Sequence, residues 1–244
     1  GINVNNIDPS KIKVYGYGGS PLPFLNSDNT EFDLREIAVQ IEGGQDGSFD
    51  SNDGVLFYGE STRKYHEELD THINPYADRS YYYITVDGDN GQRIQSYTEP
   101  AGAPAVTYTM YNDYEFYEED EVSLVKIGRR WFGESFSFEN EQSFDFEFTN
   151  VVPGETASLR VVAAATSESS TSFEVSVNGA GVGSIPILPI NSIVLARGDE
   201  LEVQVPITSE EVTVTLTYNN SGNPSSTGYL DFISLEVPSQ LSGT

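Results

Sequence analysis

Phe144-Asp145-Phe146-Glu147-Phe148 alternates apolar and acidic residues without a break. A period of two is the mark of a strand with one face in a core and the other in water. The same beat returns downstream in Leu159, Val161 and Ala163, in Phe173, Val175 and Val177, and in Leu201, Val203 and Val205. It continues in Val212, Val214, Leu216 and Tyr218, and a last run spans Tyr229 to Val237. Pro153-Gly154, Asn178-Gly179, Arg197-Gly198 and Asn219 to Gly222 read as the turns between these runs. Short strands at this spacing predict an all-β fold with a jelly-roll-like β-sandwich over residues 105–237. Pro186, Pro189 and Pro206 belong on edges or bends, because proline donates nothing to a ladder.

Upstream, residues 1–104 read as a small β-rich N-terminal domain. Ile12 and Val14 share one face of a strand over 11–15, closed by Gly16, Gly18 and Gly19. A second strand runs over 35–41 through Ile37, Val39 and Ile41, and further short strands are predicted over 55–58, 81–86 and 107–111. The breaker-rich stretch 99–104, with Pro100, Gly102 and Pro104, marks the domain boundary. One short helix is expected near 118–127. Glu118 to Glu121 put negative charge at its start, and Lys126, Arg129 and Arg130 put positive charge at its end, as the helix dipole favours. Residues 238–244 read as a tail or linker.

The chain has 244 residues, with 15 Tyr and 13 Phe against one Met, so its core is expected to be aromatic and β-branched. With 38 acidic and 12 basic residues the net charge is −26, which repels nucleic-acid phosphate and excludes that class of partner. There is no cysteine, so disulfides, thiolate zinc sites and a cysteine nucleophile are excluded within these residues. No apolar run reaches the length of a membrane span. The sequence opens on Gly1 and carries no signal peptide, so it is expected to be a processed or truncated piece of a parent that has one.

The sharpest local motif is the loop 42–53. Asp46, Gly47, Asp50 and Asp53 fall at positions five, six, nine and twelve of an EF-hand-like register, which makes calcium a candidate ligand of Asp46, Asp50 and Asp53. Glu42 at position one and Gly44 at position three fit poorly, and a plain acidic turn between strands is the competing reading. His66 and His72 lack a nucleophile or an H-E-x-x-H spacing, so they read as structural rather than catalytic. No catalytic residue is assigned. Arg129, Arg130 and Trp131 form a dibasic-aromatic cluster in an acidic chain, either a contact for an acidic partner or anionic glycan, or a helix end with a core tryptophan. Tyr82 is a further candidate glycan contact, although in a strand Tyr81 and Tyr83 share one face and Tyr82 takes the other.

Four separated stretches carry a family resemblance: DPSKIKVYGYGGSPLPFLN at 8–26, DGSFDSNDGVLFYGES at 46–61, NPYADRSYYYITVDGDNGQRI at 74–94 and RWFGESFSF at 130–138. In this order they resemble the N-terminal, non-catalytic region of the PorU family, the gingipain-like cysteine peptidases that act as type IX secretion system sortases. The resemblance implies a parent at the outer face of the bacterial outer membrane that removes the C-terminal signal from exported cargo. It implies that the catalytic His and Cys lie in a downstream peptidase domain, and that other secretion components are partners. His66 and His72 match no catalytic motif of that family. The expected role is therefore an accessory module that supports or orients the peptidase domain or docks partners. A free-standing carbohydrate-binding β-sandwich is the alternative, and it calls for a row of exposed aromatics on one sheet. A carboxylate-pair glycosidase has no spacing in its favour.

The charge alone yields a prediction. Mutual repulsion among the carboxylates opposes the folded state and is screened by salt. The melting temperature should rise as ionic strength goes from about 0.01 to about 0.15 M, where the Debye length falls from roughly 30 to roughly 8 Å. A flat salt profile in differential scanning calorimetry would contradict it.

Overall fold

The alternating runs build two facing sheets because alternate residues of each turn into the shared core. In the computed structural model, which describes residues 7–30, 33–99, 101–103, 106–124, 130–191 and 194–241, the chain divides into compact units at 1–103 and 104–244. Among the described residues there are strands and two short 3-10 turns but no α-helix.

The first unit holds β1 (Lys13–Tyr15), β2 (Glu36–Ile37), β3 (Val39–Glu42), β4 (Gly54–Phe57), β5 (Arg63–His66), β6 (Thr71–Ile73) and β7 (Tyr83–Thr85). They form three small sheets, β2-β1-β7, β3-β4 and β5-β6. The single strand expected over 35–41 is two strands, because the chain changes partner at Ala38: β2 pairs with β1, and β3 with β4. The β5-β6 hairpin has too little apolar alternation to be seen in sequence. Ile12, Val14, Val39 and Phe49 are the buried apolar residues described here. Arg93 ties the unit together from its flank. Its guanidinium donates to the carbonyls of Pro9 at 2.7 Å, Ser10 at 2.8 Å and Ile12 at 3.1 Å.

The second unit holds β8 (Met110–Glu118), β9 (Ser135–Phe136), β10 (Glu141–Glu147), β11 (Thr156–Thr166), β12 (Thr171–Val177), β13 (Ala180–Ile187), β14 (Arg197–Pro206), β15 (Glu211–Asn219) and β16 (Thr227–Gln240). One sheet runs β10-β15-β12-β13. The other runs β14-β11-β16-β8, with β9 paired to the end of β16. All pairings are antiparallel, and this strand order over two sheets is that of a jelly roll. Pro186 and Pro206 sit on the edge strands β13 and β14.

Four expectations are corrected here. The helix near 118–127 is not formed over 118–124: Glu118 ends β8 opposite Phe232 and is buried, and Val122 bridges Phe132. The β-forming run Tyr114-Glu115-Phe116-Tyr117 and its pairing with β16 override a favourable charge order. Residues 125–127 lie outside the described residues. The strand expected over 107–111 begins at Met110 and continues as this same strand. Arg197-Gly198 is not a turn but the start of β14, where a side chain on Gly198 would stand 3.0 Å from the Ala163 carbonyl. The segment read as a tail from 238 begins in strand, since Pro238, Ser239 and Gln240 pair with Asn112, Tyr111 and Met110.

The core lies between the sheets, and its centre is aromatic. Phe173 meets Phe136 edge-on at 5.1 Å between ring centroids and Tyr218 at 4.8 Å. Gly228 of β16 makes room for them: a Cβ there would lie 2.5 Å from Phe173 Cζ and 2.7 Å from Tyr218 Cδ2. Gly228→Ala should therefore overpack the core and cost about 1–3 kcal/mol. Urea denaturation of variant and parent checks this, and an unchanged midpoint would contradict it.

Candidate functional site

The acidic loop is the connection of a β hairpin, entered from β3 and left by β4, with Gly43, Gly44 and Gly47 at positive φ. Each aspartate holds a nearby backbone amide. Asp46 Oδ1 accepts from Ser48 N at 3.0 Å, Asp50 Oδ1 from Asn52 N at 2.8 Å and Asp53 Oδ2 from Asp50 N at 3.0 Å. These bonds build turns, and among the described residues no group of three or more His, Cys, Asp or Glu gathers to hold a metal.

His66 and His72 belong to the β5-β6 hairpin, whose turn carries Asp70 at φ 50°. His72 is fully buried and its ring packs on Tyr65 at 5.0 Å, while Tyr65 Oη donates to Asp70 Oδ1 at 3.1 Å. Both histidines thus sit within the frame of one hairpin. Tyr82 turns inward: its hydroxyl donates to the Glu60 carbonyl at 3.1 Å, and its ring packs on Phe57 at 5.1 Å and closely over Gly16. Tyr81 and Tyr83 are exposed, as the alternation along this segment requires.

The dibasic-aromatic cluster is partly structural. Arg129 lies outside the described residues. Arg130 Nη2 pairs with Asp231 Oδ2 at 2.5 Å, and its guanidinium stands 5.7 Å from the Phe132 ring centre. Asp231 is placed by a bulge, since the register between β11 and β16 shifts at Val162/Ala163 and leaves Asp231 as the extra residue. Its side chain is only 8 % exposed, against 57 % for Arg130. Sequence reasoning missed Asp231, yet a signal was there. Leu230 and Ile233 both enter the core three residues apart, which strict alternation forbids. Trp131 is half-buried.

Close by, Tyr117 packs on Phe144 at 4.8 Å, and its hydroxyl donates to Glu134. Burial first, and then the Glu134 carboxylate, push the Tyr117 phenol well above its ordinary pKa. Desolvation, helped by Asp113, also raises Glu115 on the same strand.

The outer face of the four-stranded sheet is a ladder of hydroxyls and carboxylates. Ser143 bonds Thr215 at 2.8 Å, Thr213 donates to Asp145 at 2.7 Å and Thr217 donates to Glu141 at 3.0 Å. Among the described residues β10, β12 and β15 present no aromatic on this face, so the exposed aromatic row of a sugar-binding sheet is not formed there. A hollow of about 390 Å³ opens at the end of this face, lined by Ser137, Asn140, Glu174, Thr217, Asn219 and Asn220 together with Tyr218.

No family model matches the chain, and no curated protein matches it. Among solved structures, dimeric latent PorU from Porphyromonas gingivalis is similar, with a TM-score of 0.74 and 23 % identity over 96 % of this chain. The match spans 22 % of that PorU chain. Similarity also extends to the CBM36-1 domain of a multidomain xylanase from the hindgut metagenome of Trinervitermes trinervoides, with a TM-score of 0.35 and 11 % identity, over 54 % of this chain and 98 % of that one. A CBM36 carbohydrate-binding module solved with calcium and xylotriose gives a TM-score of 0.33 and 15 % identity, over 52 % of this chain and 99 % of that one. The likeness to PorU shows a shared fold.

The Arg130–Asp231 pair can be tested directly. Arg130→Ala removes one partner of a buried carboxylate and should cost about 1–3 kcal/mol. Adding Asp231→Asn should recover part of that loss, giving a clear coupling in a double-mutant cycle. Strict additivity in chemical denaturation would refute the pairing.

Proposed function

We propose that this chain is a non-catalytic accessory region of a cell-surface sortase resembling PorU, and that its first unit packs against the peptidase domain of the same parent. The observation that carries this reading is the fold match over 96 % of the chain to a piece of a much longer PorU chain. The missing cysteine and the structural setting of both histidines support a role without turnover. The outer face of the outer membrane and the company of other secretion components belong to this same proposal. Among the described residues no helix is long and apolar enough to cross a membrane.

The first unit supports the docking part. Few of its apolar side chains are buried, whereas Leu22, Phe24, Tyr58, Tyr76, Tyr81 and Tyr97 are strongly exposed. So many exposed apolar side chains around so small a core support an interaction role for this unit. Leu22 and Phe24 lie in the glycine- and proline-flanked loop after β1 and take no part in the strand ladders.

Two measurements test the reading. The purified chain mixed with cargo bearing its C-terminal signal should cleave nothing, and turnover would overturn the proposal. Leu22→Ser combined with Phe24→Ser should weaken association with a separately produced peptidase domain about tenfold or more while leaving the melting temperature of the chain unchanged. Equal affinity of variant and parent would remove this face from the interface.

A further inference from the structure

The hollow at the end of the four-stranded sheet has a chemistry that the accessory role does not use. Its floor holds Glu174 of β12 and Thr217 of β15, which are paired across the sheet, and Glu141 of β10 pairs with Thr217 on the side away from Glu174. Its rim is the turn after β15, with Asn219 and Asn220, and the bend 137–139 before β10, with Ser137.

The amides are held in a defined orientation. Asn219 Oδ1 accepts from Ser221 N at 2.9 Å, and Asn220 Oδ1 accepts from Gly222 N at 2.9 Å. A backbone N–H can only donate, so each amide oxygen is committed to the turn and each Nδ2 is left as a donor. Neither Nδ2 makes a hydrogen bond among the described residues. Asn140 is held by its own Nδ2, which donates to the Tyr218 carbonyl at 3.2 Å, and its side-chain oxygen stays available as an acceptor. Glu174 Oε1 receives Ser172 Oγ at 3.5 Å, and Oε2 accepts nothing. In the bend that supplies Ser137, Phe138 is fully exposed. The hollow thus offers fixed amide donors and amide and carboxylate acceptors, and the bare ring of Phe138 follows the lining residue Ser137 in the bend at its edge.

We propose that this hollow binds an uncharged sugar, with Phe138 stacking on the apolar face of the ring and Glu174, Asn140, Asn219 and Asn220 dividing its hydroxyls. Vicinal hydroxyls both donate and accept, which suits a carboxylate beside amide groups. An aromatic ring covers the C–H face that a pyranose presents. The charge decides against an acidic glycan: among the described residues no Lys, Arg or His lines the hollow, while Glu174 and the neighbouring Glu141 and Glu139 would repel a carboxylate or sulfate. The proposal does not depend on the sortase parentage, and it differs from an aromatic platform on a sheet face because the ring it enlists, Phe138, is a loop residue.

The test is an amide-shift titration of the full chain with cellotetraose, xylotetraose and chitotriose, and with tetragalacturonate as the anionic comparison. At least one neutral oligosaccharide should shift the amides of Asn219, Asn220 and Phe138 in a saturable way, and tetragalacturonate should not. Phe138→Ala, at a position that carries no packing, should weaken that binding roughly five- to tenfold. Glu174→Gln, which keeps the shape, should weaken it as well. The proposal is overturned by silence from all three neutral probes, by equal or tighter binding of tetragalacturonate, or by binding that both variants leave intact.

Discussion

Two sheets can share one core here because Gly228 has no side chain. Phe173 and Tyr218 reach across from the four-stranded sheet into the space a Cβ would fill, and Phe136 closes on Phe173 from the side. The Tyr218 hydroxyl is bonded to Ser226 at the start of the same β16 approach, so the polar end of that ring is satisfied where it is buried. Inward residues of the other strands join the same core, small ones such as Ala163 and Ala165 beside larger ones such as Leu159 and Ile233. Aromatic mass concentrated at one point does the filling that a larger number of Leu or Met would otherwise do.

The sandwich was legible in the sequence where burial has a period of two. Phe144, Phe146 and Phe148, or Val212, Val214, Leu216 and Tyr218, face the core as their alternation requires. What escaped notice lacks that signature. β13 is glycine-rich and an edge, and the β5-β6 hairpin buries a histidine rather than an aliphatic row. Local charge order misled at Glu118 to Glu121, since pairing with β16 outweighs a helix dipole worth a fraction of a kcal/mol per charge. The candidate sites depend on three-dimensional detail. The sequence placed three aspartates in one loop, but it could not show that each accepts a backbone amide of that loop. The hollow gathers residues from two strands and from the bend and turn beside them, and no linear spacing reports such a meeting.

The two units differ in how they are stabilised. The second has a continuous core shared by both sheets, while the first leans on backbone hydrogen bonds such as those of Arg93 and leaves much of its apolar surface in contact with solvent. That contrast is what an accessory region needs if one part is to be a stable frame and the other an adhesive face. It also assigns the two readings to different units: docking to a peptidase domain would use the first, and sugar recognition would use the end of a sheet in the second.

The pairing of the first and last strands of the jelly roll has a mechanical corollary. Met110 lies opposite Gln240, and Leu241 N still reaches the Thr109 carbonyl at 2.9 Å, so entry and exit of this unit lie side by side. Tension applied between them would open the β8–β16 ladder rung by rung, like a zip, instead of loading all its hydrogen bonds together in shear. Because the rungs would yield in turn, this unit offers little resistance to a pull along its own chain and lengthens early under load.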